Sequence, residues 1–177
     1  MGTFINIGNA GFQRSRNGEY VDKSGLIAII NKTLFTEKGF SCVTRSRRFG
    51  KSMAAKMLCA YYDKSCDSRS LFADLQIASD PSFEQHLNKY AAIYLDMTNF
   101  VTKYKDGSIV EKLDAALLDD VSKAYPDVPV TENVISEEKG LKLEQVLGEC
   151  PGTCFLTTVH KVGYTVWSFD LPPLLYK

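Results

Sequence analysis

Between Phe40 and Tyr62 the chain passes from a brief β-prone run, Phe40-Ser-Cys-Val-Thr44, through Arg45-Ser-Arg-Arg-Phe-Gly-Lys-Ser52 into a stretch of good helix formers without Gly or Pro. That order, strand then loop then Gly-Lys-Ser opening a helix, restricts the fold more than any other feature of the sequence. Such a loop gathers backbone N–H groups and a helix N-terminus around an anion, while a lysine neutralises phosphate and a hydroxyl holds magnesium. Gly50, Lys51 and Ser52 fill those positions, and Arg45, Arg47, Arg48 and Phe49 complete the nucleotide-facing segment. The usual pattern has glycine where Arg45 stands, so the turn there is more restricted than in a standard loop. Met53, Met57, Leu58 and Tyr61 share a face of the helix from Lys51 to Tyr62. Lys51, at its first turn, reads as a solvated point charge.

The other elements are consistent with an α/β chain. Phe4–Ile7 is a short apolar patch, and residues 8–18 form a polar, turn-rich stretch. Asp22 or Ser24 caps a helix carrying Leu26, Ile27, Ile29 and Ile30. Leu71, Phe72, Leu75 and Ile77 mark a packed segment, and a helix follows near Ser82–Lys89. Ala91-Ala-Ile-Tyr-Leu-Asp96 is an apolar run ending in an acid, the pattern of a buried parallel strand whose carboxyl end faces a site. A helix over Ser108–Ala124 is stopped by Tyr125-Pro-Asp-Val-Pro129. Ile135–Leu147 reads as a further helix, Cys154–Val159 as a strand, and Val162–Phe169 as another. The two prolines of the last seven residues rule out a central strand there.

The charges sum to zero, which gives no global reason to expect a nucleic-acid or membrane partner. Their distribution is uneven: residues 1–64 hold eleven lysines and arginines against four acids, and residues 65–177 hold ten against seventeen. This describes either a basic site opposite an acidic flank or two faces that neutralise one another within one fold. Cys42, Cys59, Cys66, Cys150 and Cys154 contain no CxxC pair and have no histidines at zinc spacing, so reduced thiols and no zinc are expected. No apolar run approaches the roughly 18 residues of a membrane span, and the N-terminus lacks a leader pattern. A cytoplasmic protein is expected. His86 in a polar helix and His160 on an apolar strand read as structural.

Tyr20-Val-Asp-Lys-Ser24, Thr44–Ser52, Met57-Leu-Cys-Ala-Tyr-Tyr-Asp63, Leu71-Phe72 and Tyr94-Leu-Asp96 occur in an order and spacing that resembles the front part of the bacterial AAA-ATPase-like family, whose members carry YVDKT and RPRRFGKS. That family likewise has an arginine at the first glycine position of its loop, and Ser46 stands where it has proline. The resemblance covers about residues 5–100. It implies a P-loop-like α/β core, a short, mostly parallel sheet flanked by helices, with ATP as ligand and Lys51 and Ser52 as its phosphate and magnesium contacts. The family continues to an apolar strand ending Asp-Glu. Here the corresponding stretch reads Phe155-Leu-Thr-Thr-Val-His-Lys161, which makes the core incomplete relative to a full ATPase. Asp96, the acid at a strand end near the loop, reads first as a positional match to the family's earlier strand, and service on the magnesium side is its alternative role.

These readings predict a single domain over residues 1–177, with 1–100 as its family-like front and 130–177 as a divergent tail. The expected function is an ATP- or phosphate-binding module without efficient hydrolysis and without catalytic residues, because orienting magnesium and water needs the missing acids. The alternative is a truncated, stand-alone interaction protein of mobile-element origin that inhibits a bacterial nucleic-acid enzyme, an anti-CRISPR-type inhibitor of a Cas nuclease for example. Arg45, Arg47, Arg48 and Lys51 can also touch nucleic-acid phosphates directly.

Overall fold

The computed structural model describes residues 2–36, 41–44, 48–96, 109–126, 135–136, 140–141, 153–159 and 164–168. In chain order these form α1 (Ala10–Arg16), α2 (Gly25–Asn31), β1 (Ser41–Thr44), α3 (Lys51–Tyr62), α4 (Arg69–Phe72), a 3-10 turn (Gln76–Ser79), α5 (Phe83–His86), β2 (Ala91–Asp96), α6 (Ile109–Ala124), β3 (Ile135–Ser136), β4 (Gly140–Leu141), β5 (Thr153–Val159) and β6 (Tyr164–Ser168).

Four of the strands form one sheet in the order β1-β6-β5-β2. β2 and β5 are parallel, with Ala91 opposite Thr153 and Asp96 opposite Thr158. β6 is antiparallel to both β5 and β1. The expectation of a mostly parallel sheet is therefore corrected: one ladder of this sheet is parallel and two are antiparallel. The cause is the connection. Only residues 160–163 separate β5 from β6, whereas a parallel return needs a crossover of about a dozen residues or more. β6 runs against both its neighbours, so β1, β5 and β2 still share one direction, and their carboxyl ends lie along one edge of the sheet.

A second correction falls on Ile135–Leu147. Ile135 and Leu141 are cross-strand partners in a two-residue ladder, β3 with β4, not members of one helix. Six residues apart, they fall on different faces of a helix, and Gly140 weakens a helix interior. The remainder of that stretch lies outside the described residues. Conversely, the turn-rich residues 8–18 contain α1, anchored by Phe12, which stacks on Phe72 at 5.1 Å and meets Tyr20 edge-on at 5.5 Å. α5 is shorter than Ser82–Lys89 because Leu87 turns extended and Asn88 takes φ +54.

The core gathers on α3. Every residue from Ala54 to Tyr62 except Lys56 is buried, against Phe12, Ile27, Ile30, Phe72, Ile77 and Phe83. Each large side chain so buried contributes about 1.5–3 kcal/mol from removal of apolar surface from water. The two tyrosine hydroxyls are paired: Tyr61 donates to the Phe83 carbonyl at 2.8 Å, and Tyr62 donates to Asn31 Oδ1 at 2.6 Å. Burial pushes the Tyr61 phenol well above its usual range, so it stays a donor. The last carbonyls of α3 find donors in Asn88, whose amide binds Ala60 O at 3.1 Å and Asp63 O at 2.7 Å, while its backbone N–H binds Tyr61 O. The buried Asp63 carboxylate accepts the N–H groups of Gly8 and Ser65 at 2.7 and 2.8 Å.

β2 is covered on both faces. Tyr94 packs toward the α3 cluster, while Ile93 and Leu95 join Ile5, Leu117 and Val121 of the α6 side, as strand alternation requires. Residues 4–6 run antiparallel along the other edge of β2, through Asn6 N–H to Ala92 O at 2.7 Å and Tyr94 N–H to Phe4 O at 2.8 Å. The buried Asp120 of α6 holds this segment by accepting the N–H groups of Thr3, Phe4 and Ile5 at 2.8, 2.7 and 2.9 Å. Removing that carboxylate leaves three donors without their acceptor. Asp120→Ala is expected to lower the free energy of unfolding by about 2–4 kcal/mol, measured by urea denaturation, with Asp120→Asn losing less because it keeps one acceptor oxygen.

Candidate functional site

The direction of the strands decides where a site can form. Asp63, just after α3, bridges to Tyr90, just before β2, so the C-terminus of α3 lies beside the start of β2. α3 packs on β2 and β5 and runs back along them, which brings its N-terminus level with their carboxyl ends. Gly50, Lys51, Ser52 and Asp96 therefore share one edge of the molecule. Asp96 ends the strand that α3 covers, although β5 and β6 stand between that strand and β1. Arg45 and Arg47 lie outside the described residues, as do His160 and Lys161.

The loop that enters α3 has an unusual backbone. Arg48 has φ +68, in the left-handed region that a residue with a Cβ seldom adopts, and Gly50 at the N-cap has φ +76 and ψ 23. Gly50 brings no capping side chain, and no acid occupies the first turn of α3, so the positive end of the helix meets no acidic side chain of its own. Phe49 is 61% exposed and Gly50 is partly exposed. Lys51 departs from expectation: it is only 8% exposed, a buried cation rather than a solvated one. Position explains this, because the first turn of a helix that packs over a sheet places a side chain between layers as readily as toward solvent. Ser52 is half-buried beside it.

One residue of the site was missed as a functional candidate from the sequence. Lys23 Nζ donates to the Phe49 carbonyl at 2.9 Å, and a Cβ built on Gly50 would lie 2.5 Å from that nitrogen. The signal for it in the sequence is the lysine of Tyr20-Val-Asp-Lys-Ser24, a cation within a motif shared with the family that the chain resembles. Asp22, not the Ser24 hydroxyl, supports the start of α2: its carboxylate accepts the N–H of Ser24 at 2.7 Å and that of Gln76 at 2.8 Å. The buried Ser24 hydroxyl accepts the N–H of Ile77 at 3.1 Å. Tyr20 donates to Met57 Sδ at 3.4 Å, tying the segment to α3. Between the segment and the loop lies a cleft of about 120 Å³, with Tyr20, Met53 and Met57 as apolar walls and Lys23, Arg48 and Gly50 on the loop side.

His86 is buried with Nδ1 2.5 Å from the Tyr90 hydroxyl, and burial lowers its pKa, which favours the neutral ring of a structural histidine. The thiols of Cys42, Cys59 and Cys66 are free, and burial pushes that of Cys59 far above its usual range. Among the described residues no group of three or more His, Cys, Asp or Glu side chains is placed to hold a metal, and no helix is long and apolar enough to cross a membrane.

With this geometry in place, comparison with protein families is informative. The AAA-ATPase-like family model, described as predicted AAA-ATPase, matches residues 6–162, well beyond the stretch that carries the motifs. The chain belongs to that family. Comparisons with curated proteins and with solved structures give no match.

Gly50→Ala is expected to destabilise the fold by about 1–2 kcal/mol by thermal or urea unfolding, since it forces a Cβ into left-handed backbone, while the flexible end of Lys23 moves aside. A pH effect follows from Asp22. Partial burial works to raise its pKa, but the N–H donors of Gln76 and Ser24 outweigh it and the net shift is down. A carboxyl lowered on folding stabilises fully above the ordinary carboxylate range and loses that contribution as pH falls through its lowered value. The stability gap between wild type and Asp22→Asn should therefore be widest near neutrality and should narrow below about pH 4.

Proposed function

We propose that the chain is a P-loop nucleotide-binding module that seats the phosphates of ATP on the loop Arg48–Ser52, and that it turns ATP over slowly or not at all. The observation that carries this reading is the left-handed, side-chain-free cap at Gly50. It opens the N-terminus of a firmly packed helix to an anion, with Lys51 in the first turn and Arg48 on the approach. A helix end of this kind favours negative charge, and a partly buried lysine acts in a lower dielectric than water. Membership of the AAA-ATPase-like family supports ATP as the ligand.

Magnesium would arrive with the nucleotide. In this reading the Ser52 hydroxyl would hold it, with Asp96 as the acid on its far side. The metal supplies neutralisation of phosphate charge, while this chain's own groups bind and orient. Hydrolysis asks for more, namely carboxylates that fix the metal and polarise water. In the sequence after β5, where the resemblance expects an acid pair, this chain has His160 and Lys161.

Titration calorimetry with Mg·ATP tests the binding. Wild type should bind, and Lys51→Ala should lose at least about tenfold in affinity. Because Lys51 is buried, Lys51→Met is the companion variant that preserves packing, and it should lose binding equally. Phosphate release by wild type should not exceed that of Lys51→Ala, and turnover near 1 per second would contradict the reading. No binding by wild type, together with a partner retained through Arg48 in the absence of nucleotide, would favour the interaction protein instead.

A further inference from the structure

We infer that Lys23 is the positioning residue of the loop: by donating to the Phe49 carbonyl it holds the Gly50 turn in the shape that aims the start of α3 at an anion. The inference rests on the reading of Arg48–Ser52 as a phosphate site, and it assigns a role to a residue on a different segment of the chain. Three observations support it.

The first is that the loop needs an outside hold. Arg48 and Gly50 both take left-handed backbone within three residues, and Phe49 between them is largely exposed, so its packing does little to fix the turn. The second is that Lys23 and Gly50 fit as a pair. The ammonium sits where a side chain at position 50 would start, so a Cβ there would push the end of Lys23 off the Phe49 carbonyl, while φ +76 itself favours glycine. The third is that Lys23 is itself aimed. Its neighbours Asp22 and Ser24 are fastened to the backbone of Gln76 and Ile77, and Tyr20 is fastened to Met57 of α3. Between Asp22 and Ser24 the Lys23 side chain reaches the loop instead, at the Phe49 carbonyl. A charged donor on a carbonyl is also a stronger tie than a neutral one.

Lys23 thus acts through the loop and not on the ligand. The test compares wild type, Lys23→Met and Lys23→Arg with two readouts. Mg·ATP and pyrophosphate titrations should show Lys23→Met weakened about tenfold and Lys23→Arg recovering most of the affinity, with the thermal unfolding midpoint of each variant close to wild type. Hydrogen exchange without ligand should show the amides of Phe49–Ser52 exchanging several-fold faster in Lys23→Met, and those of Leu58–Tyr62 unchanged. Loop exchange equal to wild type overturns the proposal, and so does an affinity loss without any exchange change, because Lys23 would then be touching the ligand. If wild type binds neither probe but loop exchange rises in Lys23→Met, the positioning role stands and the phosphate reading falls.

Discussion

A helix buried on nearly every face has no freedom to adjust its ends, and this constraint on α3 organises the rest of the structure. From Ala54 onward only Lys56 escapes burial, so the helix cannot rotate or slide without exposing apolar surface or stranding the two tyrosine hydroxyls. Its last carbonyls have to be satisfied from elsewhere, and the Asn88 amides and the Tyr90 N–H do so while tying the helix to the start of β2. The opposite end, with Gly50, is thereby fixed in space at the carboxyl edge of β2 and β5. A rigid helix N-terminus is a better anion site than a fraying one, because its N–H groups need no reordering when the ligand arrives.

The sheet reaches the same arrangement by an indirect route. β5 and β6 form a hairpin, and the hairpin makes most of the ladders antiparallel, yet inserting one reversed strand leaves β1, β5 and β2 pointing together. What matters to a ligand at the edge is strand direction, and that is preserved. The segment Tyr20–Ser24 then closes the outer side of the loop. Asp22 and Ser24 both reach the turn at Gln76, Tyr20 reaches α3 and Lys23 reaches the loop, so this short segment ties the three together at the start of α2.

The parts legible in the sequence were those with dense local signals. α3 has helix formers throughout and follows Gly50, and it runs from Lys51 to Tyr62 as expected. β2 is a continuous apolar run and is likewise bounded as expected. α1 was hidden because Phe12 is its one fully buried apolar residue, and the polar residues around it read as a turn. In α2 the broad apolar face was overcounted: Ile27 and Ile30 are buried, but Ile29 is 62% exposed. The reversal at β6 had a signal that was overlooked, since two strands separated by four residues cannot run parallel in one sheet. The burial of Lys51 and the contact of Lys23 with the loop depend on tertiary placement, and no local pattern encodes either.

The most direct measurement of the central claim is the response of backbone amides to Mg·ATP in a two-dimensional nitrogen–proton NMR titration. The account predicts that saturable shifts concentrate on Gly50, Lys51 and Ser52, weaken toward Tyr62, and are lost in Lys51→Met, as N–H groups turning to an anion would require. Shifts centred on other surfaces, or the same shifts surviving in Lys51→Met, would contradict it.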